Sequence, residues 1–264
     1  AEWQATSFQL EKLQANPACI EAEEALLPRQ RRPEWIFPPP RAATTPAFSV
    51  PAHPKPRVGV LREQGSNGDR EMAAALHSAG FDVWDLTVYD LLQGQVDLQS
   101  FHGLAFVGGF SYGDALGSAR GWRSVLAGNP RAEAQVRRFF ARPETWSLGL
   151  CNGCQLLVAL GIVPGLDMDA DGRSSGASNG SAAWLGENES GRFESRFVTV
   201  QVGPSPAVLL QGLEGTVMGI WSAHGEGNVR FENDAVLANV LRQGLAPVRY
   251  VDPCCHGGAW DCLL

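Results

Sequence analysis

No apolar run in the chain is long enough to span a bilayer, so neither a membrane-spanning helix nor a membrane partner is expected. The first residues, Ala1-Glu2-Trp3-Gln4, carry no basic region followed by an apolar stretch, which excludes a secretory signal at this position. They also lack an initiating Met, as a processed or partial chain would. Positive charge is in deficit. Lys and Arg number 21 against 28 Asp and Glu, a formal net charge of -7, which argues against broad electrostatic binding of nucleic acid or anionic lipid. Cysteine is sparse, six in 264 residues, which is no disulfide framework. A reducing, cytoplasmic compartment is expected. No internal repeat is present.

What remains is ordinary globular material, 44% apolar and 19% charged, enough for one or two domains. Residues 1–27 have helical spacing through Phe8, Leu10, Leu13, Ile20 and Leu26, interrupted at Asn16-Pro17. Pro38-Pro39-Pro40, Pro46, Pro51, Pro54 and Pro56 then make an extended linker. The helical stretch before it has no visible partner and reads as the trailing edge of another domain. Residues 1–56 are therefore assigned to that helix and linker, 57–252 to one globular domain, and 253–264 to a tail with neither helical nor strand period.

Within the domain, apolar runs at 58–61, 81–84, 104–107 and 146–150 read as buried strands. Residues 68–79 and 156–160 read as helices, the first closed by Gly80. This alternation predicts an α/β fold with a mostly parallel sheet covered on both faces. Residues 167–181, rich in Asp, Gly and Ser, read as a loop. Strands are expected at 192–202, 217–221 and 245–251, with a short helix at 233–242.

Gly149-Leu150-Cys151-Asn152-Gly153 is the cysteine form of a nucleophile elbow. A strand ends, the chain turns sharply, and a helix begins with the nucleophile near its positive end. Glycines on both sides admit a turn that a Cβ would block. Gly108-Gly109-Phe110 also ends a strand, so a glycine amide there could join the amide of Asn152 in holding a tetrahedral oxyanion. The plain alternative is a buried structural cysteine beside chance glycines. Two chemical alternatives use the same residues. Cys151 and Cys154 form C-x-x-C, a redox spacing, and Cys151, Cys154, Cys254, Cys255 and His256 could ligate zinc if the tail folded back. His224-Gly225-Glu226 has the spacing of a base and the carboxylate that orients it, or of a histidine that merely caps a turn.

The segment from Val58 to about Asp252 resembles the glutaminase domains of phosphoribosylformylglycinamidine synthases. The matching runs are Leu61-Arg62-Glu63-Gln64-Gly65-Ser66-Asn67-Gly68-Asp69-Arg70-Glu71, Phe106-Val107-Gly108-Gly109-Phe110-Ser111-Tyr112-Gly113-Asp114, Gly149-Leu150-Cys151-Asn152-Gly153-Cys154-Gln155, Ser190-Gly191-Arg192-Phe193-Glu194-Ser195-Arg196 and Trp221-Ser222-Ala223-His224-Gly225-Glu226-Gly227. The resemblance implies a three-layer, flavodoxin-like class I glutamine amidotransferase fold. It implies Cys151 as nucleophile, Gly109 and Asn152 at the oxyanion, and Gln155, Asn188, Ser190 and Phe193 around L-glutamine. His224 and Glu226 would line the site or stand in for the base. No cofactor or metal is implied in this domain. ATP and Mg2+ would act in a synthetase domain of the same polypeptide, which uses the ammonia. The family completes its triad with a C-terminal His-Pro-Glu unit. Beyond Asp252 this sequence leaves that pattern, which implies truncation, alternative splicing or a gene-model error, and an impaired or catalytically dead domain. A cysteine hydrolase or isomerase on the same fold is the remaining alternative.

Overall fold

The computed structural model describes residues 2–29, 34–37, 54–165 and 182–251. The sequence features at Pro38-Pro39-Pro40, Pro46 and Pro51, the Asp/Gly/Ser-rich stretch 167–181, and the tail with Cys254, Cys255, His256 and Cys262 lie outside the described residues. The chain forms two compact units, residues 43–184 and residues 1–42 with 185–264.

In chain order the elements are α1 (Glu2–Gln14), α2 (Pro17–Leu26), β1 (Arg57–Arg62), β2 (Ser66–Asn67), α3 (Asp69–Ser78), β3 (Asp82–Thr87), α4 (Val88–Gln93), β4 (Gly103–Phe106), β5 (Gly108–Gly109), α5 (Arg120–Ala127), α6 (Pro130–Phe140), β6 (Trp146–Gly149), α7 (Asn152–Ala159), β7 (Ala183–Gly186), β8 (Glu194–Val202), β9 (Val217–His224), β10 (Asn228–Phe231), α8 (Asp234–Arg242) and β11 (Val248–Tyr250).

The unit 43–184 is built on a parallel sheet in the order β3-β1-β4-β6. Strand side chains alternate between faces, and two separate cores result. Val58, Val60, Ala105 and Val107 pack with Met72 and Leu76 of α3. Leu61, Leu86, Leu104 and Phe106 pack with Leu91, Trp122, Leu126, Val136, Phe139, Leu156 and Leu157 from α4 to α7. The result is the layered α/β arrangement expected of the apolar runs. Strand order reverses between β1 and β4, so loops leaving their carboxyl ends open a crevice at that edge. The short antiparallel ladder of β2 with β5 sits in those loops, pairing Ser66 with Gly109 and Asn67 with Gly108.

Helices α4 to α6 are absent from the sequence expectation, yet α4 and α6 carry local reasons to form. Thr87 accepts from the Asp90 amide while Asp90 accepts from the Thr87 amide, a capping box for α4. Asn129 caps α6 directly before Pro130.

The other unit holds an antiparallel sheet in the order β11-β8-β9. Ile36 adds a bridge to Val217, with reciprocal amide bonds of 3.0 and 2.7 Å, so part of the linker pairs with the edge of β9. The N-terminal helices correct the expectation that they lack a partner. Phe8 and Ile20 are buried, and Asn16, Arg192 and Arg196 tie α1 and α2 to the segment 189–196. Apolar spacing alone could not show this, because the ties are polar and distant in sequence.

The elbow tolerates no side chain at Gly153. A Cβ there would run into the Phe106 carbonyl, which is backbone and cannot move aside. Gly153→Ala should therefore lower unfolding free energy by about 1–3 kcal/mol, as overpacked cores do, measured by urea denaturation.

Candidate functional site

The residues singled out in the sequence divide between the two units. Gly109, Cys151, Asn152 and Gln155 belong to the first, and Asn188, Ser190, Phe193, His224 and Glu226 to the second.

Cys151 stands between β6 and α7 with φ 51 and ψ -116, a region that side-chain-bearing residues rarely occupy. Its thiol is exposed. The turn closes through three contacts. The Leu150 amide donates to the Phe106 carbonyl at 3.0 Å, the Gly153 amide to Leu150 at 2.8 Å and the Gln155 amide to Cys151 at 3.0 Å. A Cβ on Gly149 would come within 2.8 Å of the Gly153 carbonyl and 3.0 Å of the Cys154 Cα. Both glycines of the motif are thus demanded by backbone packing rather than by their own dihedral angles.

The glycine pair lies beside the thiol. A Cβ on Gly108 would sit 3.2 Å from the Cys151 Cβ and 3.9 Å from its Sγ. Gly109 has φ 114, and a Cβ on it would meet the Gly65 carbonyl oxygen and the Asn67 amide nitrogen, each at 2.6 Å. The strand end left the choice of glycine open and the family pattern pointed to Gly109, but it is Gly108 whose missing side chain leaves room for the Cys151 side chain.

Asn152 is buried and fixed on both ends of its amide. Its Oδ1 accepts from the Ser111 hydroxyl at 2.6 Å and the Ser111 amide at 3.2 Å, and its Nδ2 donates to Asp114 and Gln155 at 3.1 Å each. Asp114 also accepts from the Ala119 amide at 3.3 Å. Tyr112, Asp114 and Ala119 all have positive φ, so the loop after β5 is strained as well as anchored. Ser111 and Asp114 escaped the sequence reading as site residues, although both lie in the glycine-bearing run.

Cys154 is free and half-buried. Burial, with a smaller contribution from Cys151, pushes its thiol above the usual range. Among the described residues no group of three His, Cys, Asp or Glu side chains could hold a metal ion. The zinc alternative rested partly on Cys254, Cys255 and His256, outside the described residues.

In the second unit Asn188 is the centre. Its Oδ1 lies 2.8 Å from Nδ1 of His224 and accepts from the Gly227 amide at 3.2 Å. Its Nδ2 donates to the carbonyls of His224 and Arg192 at 2.7 and 2.9 Å. A Cβ on Gly227 would collide with the His224 ring, so that glycine is needed for the ring to lie where it does. Asn188, Ser190 and His224 line one cavity of about 300 Å³ with Cys19, Glu23 and Arg196. Phe193 is exposed at its edge of the turn. Glu194 is the charged hub beside it. Burial pushes its carboxyl up, but hydrogen bonds from Arg196 and Arg192 outweigh this and hold it at about 2.

A family model described as the CobB/CobQ-like glutamine amidotransferase domain matches residues 55–259, well over half the chain. The chain belongs to that family. Phosphoribosylformylglycinamidine synthase of Homo sapiens is 51% identical over 258 residues, covering 96% of this chain and 19% of that protein. The probable phosphoribosylformylglycinamidine synthase, chloroplastic/mitochondrial, of Arabidopsis thaliana is 46% identical over 250 residues, covering 95% and 17%. The chain thus spans less than a fifth of these relatives. The solved structure of PurLQS from Thermotoga maritima matches 75% of each chain with a TM-score of 0.52 and 24% identity, a likeness of fold. The amidotransferase family accounts for the α/β architecture. Among the described residues no helix is long and apolar enough to cross a membrane.

Two measurements follow from this geometry. With a limiting dose of iodoacetamide at neutral pH, exposed Cys151 should label before Cys154, read by peptide mass spectrometry; preferential labelling of Cys154 would overturn the assignment of nucleophile. The Glu194 carboxyl is depressed from 4.5 to about 2, so its stabilisation is complete above about 4.5 and is lost as pH falls through about 2. Glu194→Gln should flatten the fall in urea resistance across that window relative to the unmutated chain.

Proposed function

We propose that this domain hydrolyses L-glutamine through a Cys151 thioester as the glutaminase part of a phosphoribosylformylglycinamidine synthase. The observation that carries the reading is the Cys151 turn, a positive-φ cysteine at a helix start with a glycine loop beside its sulfur. The Cys151 sulfur attacks the side-chain amide carbon of glutamine. The carbonyl electrons move onto oxygen, where the amides of Gly109 and Asn152 stabilise the charge. Collapse breaks the carbon–nitrogen bond, and nitrogen leaves as ammonia after taking up a proton. Water then adds to the thioester carbon, releasing glutamate and restoring the thiol.

Gln155 sits in the first turn of α7 and helps fix the Asn152 side chain, 3.1 Å away. Asn188, Ser190 and Phe193 are proposed to hold glutamine, on the strength of the family pattern. His224 is proposed as a site-lining residue steadied by Asn188, with Glu226 near it in sequence as the alternative support for a surrogate base. The ammonia is proposed to pass to a synthetase domain of the same polypeptide, where ATP and Mg2+ convert formylglycinamide ribonucleotide to the amidine during purine synthesis. The glutaminase domain itself is proposed to need no cofactor. A cytoplasmic location is proposed, in keeping with the free thiols Cys19, Cys151 and Cys154.

Glutamate release from purified chain and glutamine tests the reaction. Cys151→Ala should reduce it to background, and hydroxylamine should trap glutamyl hydroxamate from the unmutated chain alone. Fusing the family's C-terminal His-Pro-Glu segment should raise turnover by about 10²–10⁴-fold, the usual contribution of a positioned acid–base group. Equal rates with and without the segment would move the base to His224.

A further inference from the structure

The backbone of the turn that carries Asn188, Ser190 and Phe193 is held from outside by Asn16, the residue that caps α2. The Asn16 amide donates to the Ser190 carbonyl, and Asn16 Nδ2 donates to the Glu189 carbonyl, both at 3.0 Å. Two ion pairs flank this contact. Arg192 meets Glu11 of α1 at 3.3 Å, and Arg196 meets Glu23 of α2 at 2.7 Å. Lys12 and Glu24, 2.7 Å apart, lock the two helices together. Cys19 and Glu23 of α2 line the same cavity as Asn188, Ser190 and His224. From the inside, Asn188 closes the turn by accepting at its carbonyl from the Gly191 amide at 2.9 Å and donating from Nδ2 to Arg192.

We infer that Asn16 is a positioning residue for glutamine, and that α1 and α2 set the affinity of the turn 188–193 although they lie before the linker. The inference rests on the reading that this turn holds glutamine. The bland role for Asn16 is as the N-cap of α2, where its Oδ1 accepts from the Ala18 amide at 3.1 Å. Asn16→Asp separates the two roles. An aspartate keeps the capping oxygen but puts a second acceptor opposite the Glu189 carbonyl, where a donor is needed.

The test uses the full chain carrying Cys151→Ala, in which bound glutamine stays intact. Calorimetry should show Kd for glutamine rising roughly three- to tenfold on adding Asn16→Asp, the size of one lost hydrogen bond. The retained capping oxygen should leave the helical circular-dichroism signal unchanged, and the amides of 188–196 should exchange with deuterium faster. An unchanged Kd, with binding by the Cys151→Ala chain intact, overturns the positioning role alone. Absence of glutamine binding in the Cys151→Ala chain itself overturns the glutaminase reading and this inference with it.

Discussion

The close approach of the Cys151 turn to the end of β4 is the constraint on which the first unit depends. The Phe106 carbonyl accepts from the Leu150 amide and lies where any side chain at position 153 would go. That approach draws the start of α7 against the sheet and forces Cys151 to positive φ. An exposed thiol at a helix start is the consequence, and the strain is absorbed by the packing of Leu156 and Leu157 into the core below. The same crowding leaves Gly108 facing the cysteine side chain. An exposed thiol, a helix terminus and a glycine loop therefore meet because backbone atoms are packed too tightly to leave them elsewhere.

The second unit is organised by charge. Glu194 accepts from Arg192 and Arg196, and each arginine also reaches an acidic residue on an N-terminal helix. The shared partners fix the geometry of the turn as well as holding Glu194 ionised. The product is a turn in which the carbonyls of Asn188, Glu189, Ser190 and Arg192 all accept, with the Asn188 side chain joining the turn to the His224 ring and the Gly227 amide. Membership in the glutamine amidotransferase family gives these two constructions a common context.

Several features could be read directly from residue order. Apolar runs at 58–61 and 104–107 are strands because both faces of the parallel sheet are covered, and no polar alternation interrupts them. The G-x-C-x-G run announced a strand-to-helix turn, because an apolar strand precedes it and a helical period follows. Two of the helices between residues 88 and 140 carried legible caps, Thr87 with Asp90 and Asn129 with Pro130, but those signals are shorter than the apolar periods used to find elements.

Sequence alone determined the α/β class, the elbow and the cysteine at its tip, because the alternation of apolar runs and the G-x-C-x-G spacing are written in residue order. Only the tertiary structure decided which glycine faces the thiol, that Ser111 and Asp114 brace Asn152 across some forty residues, and that Asn188 holds His224. It likewise decided that Asn16 grips a turn more than 170 residues away. Hydrogen bonds and ion pairs of this kind have no period and no spacing. They exist only once the sheet, the helices and the turns have brought their donors and acceptors within reach.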